Sequence, residues 1–169
     1  RGIGSGVVVS SLGEILTCRH FLLDKDGKMA DIVSVETPDQ RHTICDVIAM
    51  APTLDLALIK MRVYSKNDPP SFKVATFGDS ATAKAGHLVF GVGDPDGPEQ
   101  FFGVGPITTP PNRDCYQELL SSTYLQLAMR VHPQAFGGPL VNMRGEVIGV
   151  LLPRVMQLGP TVDQPNLGI

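Results

Sequence analysis

Short runs of β-branched and other apolar residues, separated by glycine and proline, are the feature that most restricts how this chain can fold. The 169 residues include 18 glycines and 14 prolines, which are spread along the chain rather than concentrated in one linker. No segment keeps a 3.6-residue apolar period for more than about two helical turns. Strands this short at this spacing predict an all-β sandwich or barrel. The predicted strands cover residues 6–10, 15–18, 32–37, 43–48, 56–61, 87–92, 103–107, 124–127, 139–142 and 146–150.

The overall composition excludes several classes of protein. Apolar residues make up 43% of the chain, which is enough for a substantial core and argues against disorder. The formal net charge is -3 and no basic run occurs, so we expect no nucleic-acid partner. The apolar runs are too short to span a bilayer. The chain begins at Arg1 rather than methionine, so a signal peptide or membrane anchor before it stays open.

Three widely spaced cysteines, Cys18, Cys45 and Cys115, give an odd count without a CxxC motif. An odd count cannot form a complete internal disulfide framework. We therefore expect buried or free thiols, with one disulfide and one free thiol as the alternative.

Four segments resemble, in order, the HtrA/Deg branch of the trypsin-like serine proteases. Together they cover about half of the chain. The resemblance implies an all-β fold of two perpendicular six-stranded β-barrels with the active site between them. It makes residues 1–169 a single domain, with an N-terminal barrel over 1–68 and a C-terminal barrel over 69–169. The segments are "GSGVVVSSLGEILTCRHFL" (4–22), "APTLDLALIKM" (51–61), "FGDSATAKAGHLVFGVGDPDG" (77–97) and "LQLAMRVHPQAFGGPLVNMRGEVIGV" (125–150).

The same resemblance places the catalytic triad and shows that it is degenerate. His20 falls at the position of the histidine base and Asp55 at that of the aspartate, whereas Phe136 stands where the family has its nucleophilic serine. The family pattern Pro-Gly-Asn before that serine is also altered, because Gln134 and Ala135 replace the glycine and the asparagine. That glycine normally donates a backbone N–H to the oxyanion, so the oxyanion loop is in doubt as well. We predict a pseudoenzyme.

Two alternatives concern the same loop. A register shifted by one residue would put Ala135 at the serine position, but it leaves Phe136 as an unexplained insertion before Gly137. Arg130 falls at the floor of the primary specificity pocket, where HtrA proteins have a small residue. The arginine either fills a disused pocket, turns to solvent, or offers a cation to an acidic group.

The four histidines raise the question of a metal. His20 paired with Asp55 would have a fixed tautomer, which suits a metal ligand as well as a base. His132 lies on the nucleophile loop, so the resemblance places it at the same cleft, and His20 with His132 are the candidate ligands of a transition metal. We expect His42 and His87 to be structural residues on strands, and Cys18, two residues before His20, to be an inert buried thiol.

The sequence therefore predicts an inactive HtrA-like pseudoprotease that acts as a peptide- or protein-binding, scaffolding and regulatory domain. Its expected partners are peptides or an active protease homologue, and homo-oligomerisation is open. The resemblance implies a periplasmic or other non-cytoplasmic compartment. No cofactor is certain. The alternative is a transition-metal-binding domain repurposed from a protease, as in degenerate HtrA-like proteins of magnetosome biomineralisation.

Overall fold

A computed structural model describes residues 3–38, 40–62, 73–93, 101–109, 124–153 and 166–168. Within these ranges the regular structure consists of β-strands and short 3₁₀ turns, without an α-helix. The all-β prediction is confirmed. In the described part of the chain, no helix is long and apolar enough to cross a membrane.

Five strands of the N-terminal half form one antiparallel sheet: β1 (Gly6–Val8), β2 (Glu14–Cys18), β3 (Val33–Glu36), β4 (His42–Ala51) and β5 (Leu56–Met61). Their order in the sheet is β1-β2-β5-β4-β3. Along β5, half-buried and buried residues alternate, because successive side chains of a strand point to opposite faces. The buried face packs over a core made of Ile15, Leu22, Cys45, Ala57, Ile59 and Met61.

The C-terminal half forms a closed barrel from six strands: β6 (Leu88–Gly93), β7 (Phe101–Thr109), β8 (Leu125–Leu127), β9 (Pro139–Val141), β10 (Val147–Leu152) and β11 (Asn166–Gly168). The order around the barrel is β10-β11-β8-β7-β6-β9. All six residues of β10 are buried, so both faces of this strand are covered. The barrel interior is filled mainly by aliphatic side chains, including Val89, Ile107, Leu125, Leu127, Leu140 and Leu151.

A third, smaller cluster joins the two halves. Cys18 at the end of β2 packs with Val150 and Leu152 of β10, and all three are buried. The backbone also crosses between the halves, since the Ser5 amide donates to the Phe136 carbonyl at 2.9 Å. These contacts bring the end of β2 next to the loop between β8 and β9. That junction is where the sequence predicts the functional site.

Most predicted strands lie where the structure has them. The C-terminal barrel has the six strands that the resemblance implies, and the strand pattern located five of them, whereas the N-terminal sheet has five strands within the described residues. The prediction missed β11, because its three residues carry no apolar run that would mark a strand. The predicted boundary between residues 68 and 69 falls in 63–72, outside the described residues, so it stays a prediction.

Candidate functional site

Two neighbouring chain turns bring His20 and Asp55 together. In the sheet, Cys18 at the end of β2 pairs with Leu56 at the start of β5. The two turns next to these strand ends therefore lie side by side. A 3₁₀ turn over Arg19–Leu22 follows β2, and another over Pro52–Leu54 precedes β5. Asp55 ends the second turn in the left-handed conformation, with φ 53° and ψ 33°, which an aspartate tolerates better than most residues.

Asp55 holds His20 by two hydrogen bonds. Its Oδ2 lies 2.6 Å from Nδ1 of the imidazole, and its Oδ1 accepts from the backbone N–H of His20 at 3.0 Å. The bond to the carboxylate places the ring proton on Nδ1 and leaves the lone pair on Nε2. The His20 side chain is 39% exposed and that of Asp55 is 22% exposed, so solvent reaches both partners of the pair. This is the geometry that a histidine base needs, and also that of an oriented metal ligand.

The β8–β9 loop contains the residue at the predicted nucleophile position. A 3₁₀ turn covers Pro133–Ala135, and Phe136 follows it with φ -60° and ψ 143°. The phenyl ring is half-buried and packs against both the barrel core and the small cluster around Cys18. A phenyl ring has no nucleophilic atom, so the side chain at the predicted nucleophile position contributes packing.

The backbone amides of this loop are occupied within the loop itself. The amide of Gln134 donates to Nδ1 of His132 at 3.3 Å, and the amide of Phe136 donates to the carbonyl of Pro133 at 3.3 Å. These are the two backbone amides at the predicted oxyanion-binding position. Both already have an acceptor within the loop, which an oxyanion would have to displace.

Ala135, the other residue considered for the serine position, is fully buried. A Cβ added to Gly93 would lie 2.4 Å from its methyl group, so strand β6 leaves space only for a small residue there. The side chain of Ala135 therefore points into the barrel core rather than into the cleft.

The specificity-pocket candidate lies at the surface. Arg130 is exposed, directly after the buried Met129, and makes no ion pair among the described residues. Of the three arrangements of Arg130 considered from the sequence, its exposure agrees with the one in which the side chain turns to solvent. The cation is available to an acidic ligand.

The remaining histidines have local roles. His42 at the start of β4 pairs across the strand with Glu36, with Nε2 and Oε2 3.8 Å apart and both side chains exposed. Nδ1 of His87 accepts from the amide of Lys84 at 3.3 Å. His132 is exposed and uses its Nδ1 to cap the 3₁₀ turn.

A group of three possible metal ligands does lie at the site, but it differs from the predicted pair. One donor atom each of Cys18, His20 and Asp55 lies within 4.8 Å of the others, and His132 is not part of this group. Cys18 is fully buried, and its Sγ donates to the carbonyl of Leu151 at 3.7 Å. Burial raises the pKa of the Cys18 thiol, and the negative charge of Asp55 raises it further. In the sequence, the two-residue spacing between Cys18 and His20 is the signal that these side chains lie close together.

Cys18 and Cys45 are free, buried thiols. This agrees with the expectation from the cysteine count. Cys115 lies outside the described residues.

The site, with its histidine–aspartate pair between two β-sheets, is that of the trypsin-like peptidases. Residues 4–150 match the family described as the trypsin-like peptidase domain, and the chain belongs to it. Within that class it is of HtrA/Deg type. It is 32% identical over 154 residues to a protein named "Probable periplasmic serine endoprotease DegP-like" from Pseudomonas putida (strain GB-1), which covers 89% of this chain and 29% of that protein. The relative of the same name from Marinomonas sp. (strain MWYL1) is also 32% identical, over 151 residues, covering 88% and 29%.

Solved structures agree with this assignment. The structure titled "HtrA-type protease AlgW with decapeptide" has a TM-score of 0.77 and 27% identity, covering 99% of this chain and 47% of that chain. A second AlgW structure, with a tripeptide, has a TM-score of 0.74 at 27% identity and covers 98% of this chain and 51% of that one. The chain therefore spans under a third of the curated relatives and about half of these structures.

Proposed function

We propose that this domain is a catalytically inactive HtrA-like pseudoprotease that binds peptides or proteins without hydrolysing them. The observation that carries the proposal is the packing of Phe136, the residue at the predicted nucleophile position, against two hydrophobic clusters. Loss of the nucleophile from a serine-protease triad lowers turnover by about 10⁶-fold. Loss of one oxyanion donor lowers it by roughly 10²- to 10³-fold.

The loop geometry supports inactivity independently of the side chain. The amides of Gln134 and Phe136 are both hydrogen-bonded within the loop. A serine placed at position 136 would therefore still lack a preorganised oxyanion site. The intact His20–Asp55 pair alone provides a base without a nucleophile.

Peptide binding is supported by the solved relatives. The protease AlgW was solved with a decapeptide and with a tripeptide. We propose that this chain keeps a peptide-binding cleft, and that peptides or an active homologue occupy it. Because the curated relatives are named periplasmic, we also propose a periplasmic or other non-cytoplasmic location.

The experiment has two parts. The purified domain should neither cleave casein nor label with a fluorophosphonate probe. Labelling that persists in Phe136→Ala and disappears in His20→Ala would show that another nucleophile operates at the site. Fluorescence anisotropy with a library of unstructured decapeptides should detect saturable binding, and its absence across the library would refute the binding role.

Arg130 provides a matched test of where peptides bind. We expect Arg130→Ala to weaken binding of peptides that carry an acidic residue, because it removes an exposed cation at the pocket position. Arg144→Ala is the control, because that arginine is also exposed but is already paired with Glu146. Equal effects of the two variants would show a general charge effect rather than a pocket.

A second candidate function is transition-metal binding. The observation that favours it is the proximity of sulfur, nitrogen and oxygen donors on Cys18, His20 and Asp55. It does not require the cleft to bind peptides, and the two functions are tested separately.

A further inference from the structure

The three donor groups next to the cleft differ in kind and come from three separate local structures. Cys18 ends strand β2, His20 lies in the following 3₁₀ turn, and Asp55 ends the turn before β5. Their donor atoms lie within 4.8 Å of one another. A thiolate, an imidazole and a carboxylate are the three protein ligand types that zinc accepts.

We propose that Cys18, His20 and Asp55 form a binding site for one zinc ion, with the fourth coordination position open to solvent. The inference specifies the second candidate function above and is independent of peptide binding. Ionised Cys18 and Asp55 carry two negative charges, which match the charge of a divalent ion. A single bound ion would replace the hydrogen bond that now joins His20 to Asp55.

The distances require only small movements. Zinc–ligand distances of about 2.0 to 2.3 Å put the ligand atoms of a tetrahedral site roughly 3.3 to 3.8 Å apart. The Nδ1–Oδ2 distance of 2.6 Å must therefore widen by about 0.7 to 1.2 Å, and a donor pair at the 4.8 Å limit of the group must close by about 1.0 to 1.5 Å. Rotation of the half-exposed His20 side chain would widen the Nδ1–Oδ2 distance without a change in the backbone.

The ligand set selects the metal. A buried thiol favours zinc or other thiophilic ions over magnesium and calcium, which prefer oxygen ligands. On binding, the Cys18 proton passes to solvent and the His20 ring proton moves to Nε2, which frees Nδ1 for the metal. The solvent-accessible side of His20 and Asp55 gives the ion an entry path, while Cys18 closes the inner side of the site.

The test is zinc titration of the reduced domain by calorimetry. Binding with one ion per chain is expected, and Cys18→Ser, His20→Ala and Asp55→Asn should each weaken it by at least roughly 100-fold, more than changes to a metal site's outer shell usually do. Cobalt substitution should give a thiolate-to-cobalt charge-transfer band in the near ultraviolet that Cys18→Ser abolishes. Circular dichroism of each variant shows whether it still folds. If Cys18→Ser does not fold, the cobalt band of His20→Ala provides the test in its place.

Matched controls locate the site. The controls remove a thiol or an imidazole that lies outside the proposed site: Cys45→Ala, His42→Ala and His132→Ala. Each should leave the zinc affinity within about twofold of the wild-type value. No zinc binding at micromolar concentration by the wild-type domain would overturn the proposal. So would binding that His132→Ala abolishes and Cys18→Ser leaves intact. A domain that binds zinc but no peptide would refute the peptide-binding role alone.

Discussion

The backbone amide of Ser5 donates a hydrogen bond to the carbonyl oxygen of Phe136, with N and O 2.9 Å apart. The Ser5 hydroxyl also donates to the carbonyl of Gln134 at 2.8 Å, and the carbonyl of Ser5 accepts from the hydroxyl of Thr17 at 2.7 Å. The segment before β1 thus joins Gln134 and Phe136 of the β8–β9 loop to the N-terminal sheet. The conformation of this loop is therefore set by contacts between the two halves as well as by its own sequence.

The tight approach of these two segments predicts a specific intolerance at Gly137. This residue has φ +86°, and a Cβ added there would lie 2.2 Å from the carbonyl oxygen of Ser5 and 2.8 Å from Oγ1 of Thr17. We expect Gly137→Ala to lower the free energy of unfolding by about 3 kcal/mol or more, combining left-handed strain with a clash. Urea denaturation monitored by circular dichroism measures the loss.

Gly27→Ala is the matched control. Gly27 has φ +75° but no atom within 4 Å of an added Cβ, so only the left-handed strain of about 1 to 2 kcal/mol applies. If the two variants lose the same stability, the contact with Ser5 does not constrain the loop.

Restoring the serine should not restore a protease. We expect Phe136→Ser to give little or no hydrolysis of casein, because the amides of Gln134 and Phe136 remain occupied within the loop. The same variant should lose about 3 kcal/mol of stability, because it removes an aromatic ring from two clusters. Activity assays and urea denaturation of one preparation provide both values.

The informative comparison is the triple variant Gln134→Gly, Ala135→Asn, Phe136→Ser, which restores the family pattern. It should be more active than the single variant, although Arg130 still differs from the small residue of the family. Full activity in the single variant would contradict the conclusion that the oxyanion loop is altered.

The sequence predicted the sheets better than it predicted the site. The sequence predicts strand β5 at residues 56–61, where the structure has it, because a short, mostly apolar run is a local signal. The closeness of His20 and Asp55 came from motif resemblance, since it depends on the long-range pairing of β2 with β5. The assignment of Phe136 to the nucleophile position stays a prediction of the resemblance, and no sequence signal indicates that its amide donates to the carbonyl of Pro133.

The predicted metal partner shows the same limit. His132 was assigned to the cleft because it lies near Phe136 in the sequence. The structure gives Nδ1 of His132 a capping role in the loop and brings Cys18 close to His20, and the role of His132 as a ligand stays a prediction. Which face of a loop a side chain occupies depends on the 3₁₀ turn over Pro133–Ala135, which carries no periodic signal.

The backbone conformation of Asp55 predicts different costs for two substitutions. Asp55→Asn keeps a side chain that tolerates φ 53° and an oxygen that accepts from the amide of His20, so about 1 kcal/mol should be lost. Asp55→Ala adds left-handed strain and leaves that amide without its partner, so about 3 kcal/mol should be lost. Urea denaturation compares the two.

Asp24→Ala is a control that loses hydrogen bonds without adding left-handed backbone strain. Oδ1 of Asp24 accepts from the amides of Asp26 and Lys28 at an exposed turn, and the φ of Asp24 is not positive. Asp24→Ala should cost about 1 kcal/mol. Equal losses for Asp55→Asn and Asp55→Ala would show that the left-handed conformation at residue 55 carries no energetic cost.

The two described cysteines should be protected from thiol reagents in the folded domain. Burial raises the pKa of the Cys45 thiol from 9.0 to about 11, with the charge of Asp46 adding to the effect, and burial raises that of Cys18 as well. Because the thiolate is the reactive form, neither should react rapidly with a disulfide reagent at pH 8. The Cys115→Ala variant removes the third thiol from the measurement, and two thiols should then appear in urea.

The same pKa shift sets the direction of the alkaline pH dependence. The pKa of the Cys45 thiol is higher in the folded state than its ordinary value of 9.0, so this thiol stabilises the folded state at pH values below 9.0. The stabilisation is lost as pH rises toward about 11. Unfolding of the Cys115→Ala domain should therefore become easier between these pH values, and Cys45→Ala should reduce that slope. Rapid labelling of one native thiol at pH 8 that Cys45→Ala abolishes would show that this thiol is accessible and ionised in the folded state.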